Sequence, residues 1–216
     1  MRLAVFDCDG TLVDGQAAVC TAMERAFALA ELPAPPRAQV RRIVGLSLPQ
    51  AVARLAPDAV QEQQVRAVEH YKATYREARM DGSLEEPLYD GIAPLLDRLA
   101  AGGWSLAVAT GKSDRGLAAC LSSHGLLDRF VSLQTADRHP SKPHPAMLEA
   151  ALFEAGAQPG DSVMIGDTSF DMDMASAARV RAVGVDWGYH EPHELRAAGA
   201  AGVAGSMQEL EALIHG

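Results

Sequence analysis

Apolar residues fall along this chain in two alternating rhythms. Short continuous runs at 3–6, 106–109, 131–133, 163–165 and 182–185 each end in polar or glycine-containing turns, and Val203 is placed to begin a sixth. Between most of them the spacing changes to helical period. Ile92, Leu95, Leu96 and Leu99 make one stripe, Leu117, Cys120 and Leu121 another, and Met147, Leu148, Ala151 and Leu152 a third before Gly156. Short buried strands alternating with amphipathic helices predict an α/β fold: a Rossmann-like parallel sheet covered by helices on both faces, three layers deep. Ligands of such sheets sit at the carboxyl ends of the strands.

One interval breaks the alternation. From about Gln16 to Asp81 there is no convincing strand. An Ala-rich helix over 17–30 puts Val19, Met23, Ala26 and Phe27 on one face, and Pro33, Pro35 and Pro36 stop it. Further helical stretches are expected at 37–44, 49–55 and 61–79, before the Asp81-Gly82-Ser83 turn and Pro87. A helical insert directly after the first strand is a cap domain. The expected division is 1–14 with 84–216 as the α/β core and 15–83 as the helical cap. The segment from Met207 to Ile214 reads as a closing amphipathic helix.

Composition narrows the classes of function. The 216 residues carry 19 Lys and Arg against 28 Asp and Glu, a net charge of −9. That balance argues against nucleic acid and against an anionic membrane surface as partners. No run approaches the roughly 18 apolar residues of a spanning helix, and the first residues read as a strand, not a cleavable signal. Cys8, Cys20 and Cys120 are odd in number and lack metal-ligand spacing, so buried thiols in a reducing, cytoplasmic setting are expected. His139, His144, His190 and His193 do not have paired zinc spacing either.

The chemistry concentrates at strand ends. The first strand runs into Asp7-Cys8-Asp9-Gly10-Thr11. Side chains alternate along a strand, so Asp7 and Asp9 leave on one side and Cys8 on the other, where it packs. Two carboxylates about 4 Å apart repel by roughly 4 kcal/mol at an effective dielectric near 20, so a cation belongs there. Gly10 lets the backbone turn and approach a ligand. The fourth strand ends in Gly166-Asp167-Thr168-Ser169-Phe170-Asp171, where Asp171 can also cap a helix. Three or four Asp residues from two strands, with few His or Cys partners, suit a hard cation, magnesium over zinc. The second strand ends in Thr110-Gly111-Lys112, a hydroxyl with backbone N–H groups at a helix start, which makes an anion cradle. Lys142 follows the third strand beside Pro143 and Pro145, which fix the local backbone.

These four segments, in this order, resemble the motifs of the haloacid dehalogenase superfamily. The insert resembles that superfamily's first cap type, and Gly166 to Ala175, Lys142 to Pro145 and Trp187-Gly188-Tyr189 look most like its phosphoglycolate-phosphatase-like subgroup. The resemblance implies a phosphatase acting on a small phosphorylated metabolite. Asp7 would be the nucleophile that forms an aspartyl-phosphate, and Asp9 the general acid and base. Thr110 and Lys142 would hold the phosphoryl oxygens, with Gly10, Thr11 and Gly111 around the substrate. Magnesium would be bound by Asp7, the Asp9 carbonyl and Asp167, with Asp171 supporting. Thr11 would fix the turn or help position the general acid.

Asp9 favours phosphoryl transfer over carbon–halogen cleavage, which needs no acid for an alkoxide. A sugar-phosphate mutase, a pyrophosphatase and a non-catalytic binding protein are the competing readings. For the leaving group, Arg41 and Arg42 beside Val44-Gly45-Leu46 are the candidate carboxylate ligands, against the simpler reading that they are exposed helix arginines, with 2-phosphoglycolate as the working substrate. Trp187 and Tyr189 either pack their loop or touch substrate. Tyr71 and Tyr75, four apart on a helix, are expected to pack. A monomer or homodimer is expected.

Overall fold

The residues of the first strand show how the layers arise. In the computed structural model, which describes residues 1–216, Leu3 and Val5 pack into one apolar cluster and Ala4, Phe6 and Cys8 into a second on the opposite side. Strand β1 (Arg2–Phe6) is therefore buried on both faces. Its two flanks are β2 (Trp104–Thr110) and β4 (Ser162–Gly166), paired in parallel with Phe6 opposite Val108 and Ile165. With β3 (Ser132–Thr135), β5 (Arg181–Val185) and β6 (Gly202–Ala204), the sheet has the order β3-β2-β1-β4-β5-β6. Every pairing is parallel.

Helices cover both faces, as the sequence pattern predicts. On the Phe6 side lie α5 (Ile92–Ala101), α6 (Asp114–Ser123) and α10 (Met207–His215), contributing Leu95, Leu117 and Leu210 among others. On the Leu3 side lie α7 (Ala146–Ala155), α8 (Ser169–Ala177) and α9 (Pro192–Ala197), with Met147, Met172 and Leu195. The third strand runs further than the apolar run at 131–133. Val131 is exposed, and the polar Gln134 and Thr135 extend the strand because they are buried with hydrogen-bond partners: Gln134 donates to Ser132 and Glu154, and Thr135 to Asp114.

Between β1 and α5 the chain forms α1 (Gln16–Leu29), α2 (Arg37–Ile43), α3 (Leu48–Leu55) and α4 (Gln61–Met80). They have an apolar cluster of their own, with Met23, Phe27, Val40, Val52 and Ala67, which Tyr189 of the sheet layer joins. The outgoing and returning chains are tied where they cross: Asp14 N–H donates to Pro87 O at 2.8 Å, and Val13 bridges Leu88. No helix is long and apolar enough to cross a membrane.

Connections from β1 run to β2 and β3 on one side, then return to β4 on the other. The order thus reverses between β1 and β4, which opens a crevice beyond their carboxyl ends.

Candidate active site

Asp7 is the residue that β1 delivers to that crevice. Its N–H donates to Ile165 O at 2.9 Å, which extends the β1–β4 pairing past the last strand residue. Its Oδ1 accepts from Cys8 N–H at 2.6 Å and lies 3.1 Å from Lys142 Nζ. Its Oδ2 is buried with no hydrogen-bond partner. Burial pushes the Asp7 carboxyl up from an ordinary 3.8 to about 7; Lys142 opposes the rise, and Asp171 and Asp9 add to it.

Asp167, one residue past β4, accepts from Thr11 Oγ1 at 2.8 Å and from Tyr189 N–H at 2.9 Å. Burial, then the neighbouring Asp7 and Asp171, raise it well above the carboxylate range. Asp171 sits in the first turn of α8 in a reciprocal cap with Thr168, whose N–H and Oγ1 donate to its Oδ2 at 3.1 and 2.7 Å. Its Oδ1 accepts from Lys142 Nζ at 2.6 Å. Capping leaves one oxygen of Asp171 for the site.

Oxygens of Asp7, Asp167 and Asp171 all lie within 4.8 Å of one another, in full burial. One ammonium, Lys142, pairs with two of these three carboxylates, Asp7 and Asp171, and one carboxylate oxygen, Asp7 Oδ2, has no donor. A buried charge without a partner is costly, and the donor set is all oxygen, so the cluster fits a hard divalent cation. Burial works against the Lys142 charge, but Asp171 and Asp7 more than offset it and hold the ammonium protonated.

Gly10 is required here. It has φ +82°, and a Cβ on it would lie 2.2 Å from Asp167 Oδ2. Gly111 is required for a different reason: a Cβ there would come within 2.5 Å of Leu46 O, so the insert backbone rests directly on the end of β2.

Asp9 and Thr110 stand at the same edge. Asp9 lies 2.9 Å from Lys112 Nζ, which is also 2.6 Å from Glu86 Oε1. Burial raises the Asp9 carboxyl, Lys112 opposes the rise, and Glu86 adds to it. Burial opposes the Lys112 charge, yet Asp9 and Glu86 raise it well above the ordinary lysine value. Thr110, almost fully buried, has its hydroxyl oxygen 3.3 Å from the donating Lys112 N–H.

Above this edge opens a cavity of about 450 Å³ between sheet and insert. Asp7, Asp9, Thr110 and Gly111 are on its sheet side; Val44, Gly45, Leu46, Tyr71, Tyr75, Arg76 and Arg79 are on the insert side.

One expectation changes and two gain detail. Arg42 does not reach the cavity: its guanidinium forks onto both carboxylate oxygens of Glu194 on α9, and its side chain is half exposed. Ile43 and Val44 line the cavity, and Arg42, one helical step earlier on α2, turns away. Thr11 Oγ1 donates to Asp167 and not to Asp9, so it fixes a carboxylate of the buried acidic cluster. Tyr71 and Tyr75 do stack, ring centroids 5.0 Å apart, but they also wall the cavity, and Tyr75 Oη is buried without a partner.

Two residues of this edge carry little signal of their own in the sequence. Lys112 was visible only as part of the Thr110-Gly111-Lys112 cradle. Glu86 lies in a loop with no pattern to mark it. Cys8 packs in the core as expected. Tyr189 gives its N–H to Asp167, and Trp187 Nε1 donates to Thr11 O at 3.3 Å.

The family model described as haloacid dehalogenase-like hydrolase matches residues 4–185. The probable phosphatase IndB of Dickeya dadantii is 34% identical over 218 residues, covering 99% of this chain and 93% of that protein. A phosphoglycolate phosphatase of Vibrio vulnificus is 28% identical, covering 97% of this chain and 94% of that protein. In fold, the crystal structure of a predicted phosphatase from Clostridium acetobutylicum superposes with a TM-score of 0.88 at 24% identity, over 99% of this chain and 98% of that one.

Proposed function

This chain belongs to the haloacid dehalogenase-like hydrolase family, and on that premise we propose that it is a magnesium-dependent phosphatase that hydrolyses a small phosphate monoester through an aspartyl-phosphate on Asp7. The observation that carries the reading is the free Asp7 Oδ2. It is a buried carboxylate oxygen with no donor, and its sister oxygen is fixed by Cys8 N–H and Lys142.

In the first step Asp7 Oδ2 forms a bond to phosphorus as the bond to the leaving oxygen breaks. Asp9 gives that oxygen its proton. In the second step Asp9 takes a proton from water, the water oxygen bonds to phosphorus, and the Asp7–phosphorus bond breaks to release phosphate. Dividing the displacement in this way replaces one high barrier by two lower ones. Lys142 and Thr110 hold phosphoryl oxygens as charge shifts among them. Asp7, the Asp9 carbonyl and Asp167 would hold magnesium, with Asp171 behind them, and the ion would supply positive charge to the phosphoryl group and keep Asp7 ionised.

Residues 15–83 serve as the cap over the core of 1–14 and 84–216. Support comes from the insert's own apolar cluster and from the tie between its two crossing strands. The leaving group is acidic, with 2-phosphoglycolate as the working substrate. Arg76 and Arg115 line the cavity, and neither is ion-paired to a carboxylate. The relatives named phosphoglycolate phosphatase favour the same class. Three free, buried cysteines suit a reducing cytoplasm.

The test is phosphate release from 2-phosphoglycolate, pyrophosphate, hexose phosphates and an aryl phosphate, with and without magnesium, beside Asp7→Asn. Magnesium-dependent release that the variant lacks is the expected result. A folded, metal-loaded protein that releases phosphate from none of them would contradict it.

A further inference from the structure

The site holds a second buried ammonium that the hydrolysis as described does not use. Lys142 faces Asp7 and Asp171, on the side where phosphorus is attacked. Lys112 is on the other side, hydrogen-bonded to Glu86 at 2.6 Å and ion-paired without hydrogen-bond geometry to Asp9 Oδ1 at 2.9 Å, an oxygen with no other partner, and only 10% of its side chain is exposed. We propose that Lys112 and Glu86 are positioning residues that hold the Asp9 carboxyl at the leaving group. The proposal rests on the phosphatase reading, because it assigns these residues to that reaction's proton transfer.

The fold brings the three groups together from separate places. Asp9 follows β1 and Lys112 follows β2, neighbouring parallel strands in which Phe6 stands opposite Val108. Both side chains therefore leave the same sheet edge side by side. Glu86 comes from the segment that returns from α4 to α5, and its side chain is 6% exposed. That segment is anchored: the Glu86 carbonyl is 2.7 Å from His124 Nε2, and Arg79 lies 3.8 Å from Glu86 Oε2.

Lys112 is thus fixed from two sides. The second carboxylate stops the ammonium from following Asp9 wherever it turns, and the flexible lysine stem becomes a defined strut. Space is restricted as well. A Cβ on Gly15 would be 3.3 Å from Asp9 Oδ1 and 3.7 Å from Glu86 Oε1, so the chain entering the insert closes the third side. Removing the strut frees Asp9 to turn away from the leaving oxygen while the Asp7 cluster stays intact. Its two carboxylate partners also distinguish Lys112 from Arg76 and Arg115, which have none and face the cavity.

A proton donor matters most when the leaving oxygen is basic, and little when it departs readily as an anion. The test is kcat/KM over a series of phosphate monoesters with uncharged aryl and alkyl groups, from 4-nitrophenyl through 4-methylphenyl to ethyl, for wild type, Lys112→Met, Glu86→Gln and Asp9→Asn. Lys112→Met should lose about 10²-fold on the poorest leaving groups and under about 10-fold on 4-nitrophenyl phosphate, the same tilt as Asp9→Asn. Glu86→Gln, which keeps its shape, should tilt the same way by less, and carries the test should Lys112→Met not fold. Equal losses across the series, or none, overturn the positioning role and leave the phosphatase reading standing. A wild type that hydrolyses no ester overturns the reading, and this inference with it.

Discussion

The floor and the roof of the cavity are built in opposite ways. On the floor, Asp7 lines the cavity and Lys142, Asp167 and Asp171 stand behind it; all four are buried, and each is held by partners from other elements. On the roof, the residues of α4 that face the cavity are half-exposed or exposed; Lys72 pairs only with Glu69 on its own helix, Arg79 lies 3.8 Å from Glu86, and Arg76 has no ion-pair partner. A floor with every group determined several times over can do one kind of chemistry. A roof with unengaged side chains can change its substrate without disturbing that chemistry.

The floor should break first and hardest. Asp7→Asn should reduce phosphate release on the order of 10⁴-fold or more while the protein stays folded, read from turnover and circular dichroism. Lys142→Ala leaves two buried carboxylates without their cation. It should cost about 3–5 kcal/mol of stability in denaturant unfolding, and about 10²–10³-fold in kcat. Thr11→Val removes the hydroxyl that donates to Asp167. It should weaken magnesium affinity by roughly 10–100-fold in a calorimetric titration and leave the fold unchanged.

The floor also sets a pH dependence. Asp7 is raised from 3.8 to about 7 in the metal-free protein, and Asp9 and Asp167 are raised too. A carboxyl with a higher folded than unfolded pKa binds more protons when folded. Its stabilisation is therefore complete below the unfolded value and lost as pH rises through the folded one. The thermal midpoint of metal-free wild type should fall relative to Asp7→Asn between about pH 4 and pH 7, and magnesium should remove the fall. A wild type that runs parallel to the variant would contradict this.

The roof should give the smallest effects. Arg76→Ala should lower kcat/KM about 10-fold for 2-phosphoglycolate relative to 4-nitrophenyl phosphate. Arg42→Ala, which loses an exposed pair with Glu194, should leave that discrimination unchanged and shift stability by under about 1 kcal/mol.

The same contrast explains what could be read from the sequence. Buried parallel strands announce themselves as apolar runs, so the sheet and the acids at its strand ends were legible. The polar end of β3 was not, because Gln134 and Thr135 are stabilised by partners distant in sequence. Helical spacing told that Tyr71 and Tyr75 share a face, but not what the face looks onto. Arg42 sat beside the cavity-lining Val44-Gly45-Leu46, and only the packing of α2 against α9 shows which way it points. Glu86 had neither period nor motif. Its part comes wholly from the chain crossing that brings it to Lys112.

The most direct test of the central claim is to quench the magnesium-loaded enzyme in acid during turnover and map phosphoryl adducts by mass spectrometry. The account predicts an acid-stable, hydroxylamine-labile phosphoryl group on the peptide that carries Asp7, absent from Asp7→Asn. Steady turnover with no adduct on Asp7, together with release retained in Asp7→Asn, would contradict it.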